Sequence, residues 1–199
     1  METGVRIESF SKIGVPYRRV DGAELDSRHL TELREDVEVR SHAIICRGSI
    51  IGAGSVIEDY CKVEQDVDIG AECLIIYKSQ ICNEAAIGDR CVIAGFVGER
   101  AIVNDDCRVF GSLIHRQDDP NSGWDDTIEP APELESNSFV GWGATVIGDV
   151  SIGKNAYVAA GSIVTKDVPQ NTIVAGTNQI WTSEQWEGRL AESEYFIDE

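Results

Sequence analysis

The sequence is short of positive charge: 17 Lys and Arg stand against 35 Asp and Glu, a net charge of −18 over 199 residues. Nucleic acid and anionic membrane both call for a basic surface, so neither is expected as a partner. Two readings of the acidity stand: solubility in a salty cytoplasm, or a field that draws a cationic substrate. No apolar run approaches the roughly 20 residues that a membrane-spanning helix needs. The opening Met-Glu-Thr-Gly has no basic stretch followed by an apolar one, so no signal peptide is expected and the location is expected to be cytoplasmic. Histidine is scarce as well. His29, His42 and His115 are separated by 13 and 73 residues, which is no zinc-ligand spacing, and no metal is expected. The six cysteines contain no CxxC pair.

What the chain does have is a period of six. From Leu33 every sixth residue is aliphatic: Leu33, Val39, Ile45, Ile51, Ile57, Val63, Ile69, Ile75, Ile81, Ile87 and Ile93. A second phase runs Val97, Val103, Val109, and a third runs Leu134, Val140, Val146, Ile152, Val158, Val164. Four residues after each of the first eleven, nothing is larger than valine. Six matches neither the 3.6-residue period of an amphipathic helix nor the simple alternation of a hairpin sheet. It fits short strands bent at regular corners, with the aliphatic residue pointing inward, a small residue where little inward room remains, and each turn stacked on the last. Such coils cannot bury their faces singly, which accounts for the length of the run. The register also places the cysteines. Cys61, Cys73, Cys91 and Cys107 fall on the small inward position, and Cys46 and Cys82 fall on the corner position after the aliphatic one, so all six read as reduced thiols.

The repeat breaks twice. Ile93 to Val97 is four residues rather than six, which must deform one corner and brings Glu99 and Arg100 forward as possible cleft residues. After Val109 the next in-phase site is His115, and there the pattern stops. Residues 116–133 form an 18-residue excursion carrying Pro120, Pro130, Pro132, Trp124, Asp118, Asp119, Asp125 and Asp126. Long excursions from a regular scaffold are often functional. A histidine at the base of one either satisfies a local hydrogen bond or does chemistry, and position alone leaves both open.

The pattern [LIV]-[GAED]-x-x-[STAV]-x over residues 33–178 resembles the hexapeptide-repeat acyltransferases, including the galactoside, maltose, xenobiotic and sugar acetyltransferases. The motif Val164-Thr165-Lys166-Asp167-Val168-Pro169 stands where that family has its V-T-K-D-V/I-P. The resemblance implies an all-β, left-handed parallel β-helix of triangular section with a protruding loop. It divides the chain into a lead-in or cap at 1–32, a β-helix at 33–180 with the loop at 116–133, and a tail at 181–199. It also implies that His115 is the general base for acyl transfer from acetyl-CoA to a hydroxyl or amine of a small-molecule acceptor. Through the same resemblance Gly141, Trp142, Gly143, Ala160, Thr165 and Lys166 match cofactor-contacting turns, and a homotrimer is expected, with the pantetheine arm lying between subunits. One departure counts against tight cofactor binding. Where family members continue V-x-G-N-P-A-[RK], this chain reads Val174-Ala175-Gly176-Thr177-Asn178-Gln179-Ile180, without the proline or the basic residue.

Imidazole suits the proposed role because its unperturbed pKa is near 6.5. Its second nitrogen needs an orienting partner, for which a backbone carbonyl, Asp118 or Asp119 are open choices. Asp118, Asp119 and Asp125 are also candidate contacts to the acceptor. Two other uses of the fold remain as alternatives, a non-catalytic assembly module and a γ-carbonic-anhydrase-like lyase. Beyond the repeat, Ile7, Phe10, Ile13, Val15 and Tyr17 suit a capping strand. Thr182 and Gln185 have capping-box spacing, with Trp181 and Trp186 at the staple positions, and predict a helix over 183–195.

Overall fold

The computed structural model describes residues 4–16, 30–116 and 129–185. Among them the only regular elements are short strands and one 3-10 turn at Ser183–Gln185. The strands wind into a left-handed parallel β-helix whose three faces are parallel sheets. Face A has ten strands, from Arg6–Ile7 to Gln179–Thr182; face B has eight, from Lys12–Val15 to Ile163–Val164; face C has seven, from Glu32–Leu33 to Ser151–Ile152. The chain visits A, B and C in turn. All pairings are parallel except the last on face A, where Thr172–Ala175 and Gln179–Thr182 form an antiparallel hairpin. No helix among the described residues is long and apolar enough to cross a membrane.

The six-residue period is explained by this geometry. Each strand is mostly two residues long, an outward one and an inward one, and a corner follows. The inward residues stack rung upon rung, and Ile45, Val63, Ile81 and Val97 on face B are fully buried. Each such side chain stabilises by roughly 1.5–3 kcal/mol on burial, so the core outweighs the strain at the corners. That strain is real: Asp36, Asp66, Glu84, Arg100, Asn137, Asn155 and other corner residues have positive φ. On the C–A corner an amide ladder offsets part of it, Asn137 Nδ2 donating to Asn155 Oδ1 at 2.8 Å and Asn155 Nδ2 to Asn171 Oδ1 at 2.9 Å.

All six cysteines are buried free thiols. Cys73, Cys91 and Cys107 stack inside the C–A corner, their Sγ atoms donating to the carbonyls of Gly88, Asn104 and Glu135 at 3.0–3.1 Å. Burial pushes the Cys61 thiol up to about 11 and the Cys82 thiol up to about 12. At the start of the chain, Arg6–Ile7 pairs with Glu38–Val39 and Lys12–Val15 with Ile44–Cys46, so the lead-in contributes rungs to faces A and B. At the end, Gln185 N donates to Thr182 Oγ1 at 3.3 Å and Thr182 N to Gln185 Oε1 at 3.1 Å, the reciprocal bonds of a capping box. The helix expected to follow lies mostly outside the described residues, as does Trp186.

The phase assigned to His115 needs correction. The inward rung after Val109 is Leu113, four residues on, paired with Val97 below and Val146 above and fully buried. The short corner at Ile93–Val97 is thus repeated directly above itself. Glycine makes both possible. A Cβ on Gly95 would lie 1.9 Å from Gly111 O, and one on Gly111 would lie 2.3 Å from Ala144 O. His115 is not a rung residue. It stands two positions past the rung, on the corner between faces B and C.

Candidate active site at the B–C corner

In the lower coils the B–C corner closes by a fixed bond. The third residue past the rung donates its N–H to the carbonyl of the second residue in the coil below. Asp66 N reaches Arg47 O at 3.1 Å, Glu84 N reaches Gln65 O at 3.0 Å, and Arg100 N reaches Asn83 O at 3.0 Å. The next member of the series is Arg116. Its N–H goes instead to Pro130 O at 2.9 Å, across the base of the excursion. The corner therefore opens above Glu99 and Arg100, and the chain returns to face C at Glu133–Leu134.

His115 sits at this opening with its side chain 18% exposed. Its Nε2 lies 3.0 Å from Oε2 of Glu129, itself 16% exposed. Its Nδ1 is buried and meets no hydrogen-bond partner among the described residues. An imidazole held this way donates Nε2–H to the carboxylate and keeps a lone pair on Nδ1. Among the described residues the group that meets Nε2 is Glu129. Asp118 and Asp119, open choices for that partner, lie with Asp125 outside the described residues. Glu129 was hard to find from sequence, since it is one acid among several in an irregular stretch. Only the return of the chain through Pro130 brings it to the histidine.

The column beneath is polar. Asn83 Oδ1 accepts from Gln65 N at 3.0 Å, and Asn83 Nδ2 donates to Glu99 Oε1 at 3.1 Å. Arg100 stands 3.7 Å from Glu84 and 3.9 Å from Glu99. One coil further from the opening, Glu64 is buried, its Oε1 held by Lys62 Nζ and Gln80 Nε2, both at 2.8 Å. A carboxylate in a corner position read as structural was not anticipated.

The residues matched to cofactor binding divide between two corners. Thr165 and Lys166 belong to the B–C corner with His115, since the rungs Leu113, Val146 and Val164 stack in that order. Lys166 is thus two coils from His115, about 10 Å at the spacing of adjacent strands. Thr165 is bonded to Asn178, its N–H donating to Oδ1 at 2.8 Å and its Oγ1 accepting from Nδ2 at 2.8 Å. Gly141, Trp142, Gly143 and Ala160 lie on the A–B corner, with Gly161 N bonded to Trp142 O at 3.0 Å. That edge is open. Trp142 is 71% exposed, and a Cβ on Gly143 or Gly161 would meet nothing within 4 Å. The outer surface of face B separates the two groups. Among the described residues no group of three His, Cys, Asp or Glu side chains is placed to hold a metal ion.

No family model matches the chain. It is similar to the serine acetyltransferase of Synechococcus elongatus, 38% identical over 80 residues, covering 40% of this chain and 31% of that protein. It is also similar to the bifunctional protein GlmU of Clostridium botulinum, 25% identical over 166 residues, covering 78% of this chain and 36% of that protein. The chain thus spans about a third of the length of these curated relatives. Among solved structures it resembles a Bacillus cereus gene product assigned as an acetyltransferase, with a TM-score of 0.50, 16% identity, and coverage of 92% of this chain and 88% of that one. At that identity the likeness shows the fold.

Proposed function

We propose that this chain, one of the hexapeptide-repeat acyltransferases by its repeat, its fold and its relatives, is a CoA-dependent acyltransferase with His115 as general base. The observation that carries the reading is the His115–Glu129 pair at the mouth of an opened corner, with Nδ1 left unpartnered. Glu129 accepts Nε2–H and so fixes the tautomer in which Nδ1 can take a proton. The acceptor's hydroxyl or amine loses that proton to Nδ1 as it becomes the nucleophile, and Glu129 stabilises the imidazolium that results.

An acyl thioester, acetyl-CoA by resemblance, supplies the activated carbonyl; its C–S bond breaks as the new acyl bond forms, and the departing CoA thiolate takes the proton from the imidazolium. The open A–B edge fits an extended pantetheine arm: Gly143 and Gly161 leave the backbone bare, and Trp142 and Ala160 flank it. Lys166 is an exposed cation on the opposite edge of face B and suits the cofactor phosphates.

In one chain the donor edge and the histidine are a full face apart. A homotrimer resolves this. Packing face A of one subunit on face C of the next sets the C–A edge near the threefold axis. The A–B edge of one subunit then meets the B–C corner of its neighbour at the outer cleft. The outward row of face A supports this packing, because Val56, Leu74 and Val92 follow one another along it, and beyond Arg108 Phe139 and Tyr157 continue it. A cytoplasmic setting suits six unpaired thiols.

The test is thiol release from acetyl-CoA with a panel of sugars and amines. The wild type turns over at least one acceptor, and His115→Ala lowers kcat by about 10²–10⁴, the usual worth of a positioned base. Equal rates in the two proteins would sink His115 as the base. No turnover together with no CoA binding by calorimetry would favour an assembly module.

A further inference from the structure

The two ends of the β-helix are finished differently. At the C-terminal end the hairpin of Thr172–Ala175 and Gln179–Thr182 closes face A, and bridges from Ile152 to Val168 and from Ile163 to Thr177 close faces C and B. The last inward residues, Val164, Val168 and Val174, are buried. At the N-terminal end Arg6–Ile7, Lys12–Val15 and Glu32–Leu33 are the outermost strands of faces A, B and C, and among the described residues no strand pairs with their outer edges. Their inward residues are open. Ile7 is 51% exposed, and Ile13 and Leu33 are only partly buried, although Val39, Ile45 and Ile51, paired with them one coil on, are fully buried. Val5, Phe10 and Leu30 enlarge the patch, Phe10 being 77% and Leu30 74% exposed. Apolar side chains thus meet water on the end of a solenoid, where a polar cap is the usual solution.

A stack of rings runs to the same end. Phe10, His42 and Tyr60 hold one position of the A–B corner in successive coils, all with positive φ. Bulky side chains seldom adopt that conformation, and at the other two corners Asp, Asn, Glu, Arg and Gly take it. Phe10 stacks on His42 at 5.0 Å and His42 on Tyr60 at 4.8 Å. Phe10 is the terminal ring, and its outer face is open. The charges at this end bear on what covers it. The three end strands and the residue after each carry Arg6, Lys12 and Arg34 against Glu8 and Glu32. In a chain of net charge −18 these strands are close to neutral, so two copies can approach here without the repulsion that their acidic surfaces impose. Both signs stand around the apolar patch, which makes the rim able to face its own copy.

We infer that the first coil is a docking surface for a second copy of this chain, joined end to end about a twofold axis. The second copy covers Ile7, Phe10 and Leu30 and gives the free strand edges an antiparallel neighbour. Val5, Ile7, Phe10, Ile13, Leu30 and Leu33 are far fewer than the roughly 20–30 residues a side of a standard stable interface. The pairing is therefore reversible and depends on concentration. Sedimentation velocity over a dilution series tests it, on the full chain as wild type, Phe10→Ser, Leu30→Glu and, at the closed end, Ile180→Ser. Each is first shown by circular dichroism and thermal melting to be folded. The mass of the dilute wild-type species doubles as concentration rises, whatever number of chains stands side by side in that species. Phe10→Ser and Leu30→Glu each weaken the doubling by about tenfold or more, and Ile180→Ser leaves it unchanged. Small-angle scattering of the concentrated protein shows a longest dimension greater by about 45 Å, because face A stacks ten strands at roughly 4.8 Å. A mass that never doubles, a doubled species no longer than the dilute one, doubling undiminished in both end variants, or doubling lost equally in Ile180→Ser overturns the proposal.

Discussion

At the level of single side chains, the site turns on which nitrogen of His115 is free. Nε2 lies 3.0 Å from Glu129, and Nδ1 is buried with no hydrogen-bond partner among the described residues. In the proposed mechanism Glu129 acts through the histidine rather than on the acceptor, as a positioning residue. Glu129→Gln keeps the size but can donate its amide to Nε2, which favours the wrong tautomer. It lowers kcat by up to about 10⁴-fold with KM little changed, by analogy with triads whose buried carboxylate is made an amide. Glu129→Asp recovers part of the loss. Steady-state kinetics of the two variants checks this, and a rise in KM at constant kcat would instead assign Glu129 to acceptor binding. The sequence singled out His115 because it sits where a regular pattern fails. It offered no means of choosing Glu129, because the partner is fixed by where the excursion re-enters the coil.

Among the elements, the shortened corners decide where the histidine stands. Ile93–Val97 and Val109–Leu113 drop two residues each and stack on one another, and without the second of these His115 would have been an inward rung. The first was visible in the sequence as a change of phase. The second was hidden, because an out-of-phase Leu113 and an in-phase His115 cannot be ranked by counting sixes. Packing ranks them: a buried rung favours leucine over imidazole. Both corners require the bare backbone of glycine. Gly111→Ala forces a methyl group to within 2.3 Å of Ala144 O, a backbone atom held in the next coil. It destabilises by roughly 1–3 kcal/mol or more, as overpacking does, and lowers turnover because His115 is four residues along the same coil. Urea unfolding and thiol release measure the two effects. Wild-type stability in this variant would show that the stacked corners yield easily.

For the whole molecule, the separation of the A–B edge from the B–C corner bears on assembly. In the proposed reading a complete site needs both, and the apolar outward residues of face A on either side of Arg108 give a reason for chains to associate. The trimer predicts that Leu74→Glu on face A and Ile102→Glu on face C each reduce the solution mass from three chains to one. Ile44→Glu on face B leaves it unchanged. Leu74 and Ile102 are outward residues, paired by register with neighbouring strands and not part of the core. Sedimentation velocity distinguishes these outcomes. A wild-type chain that sediments as a monomer would remove the composite site, and the donor would then have to reach His115 across face B of a single chain.

The sequence by itself determined the β-helix, its inward residues, its buried thiols and the position of the excursion, because a six-residue period has one packing solution and repeats it along the chain. Only the tertiary structure decided that Leu113 is the rung, that Glu129 meets His115, that the corner opens above Glu99, and that the matched cofactor residues fall on two edges. Each of these depends on contacts between coils or across the excursion, where local pattern carries no information about which residues meet.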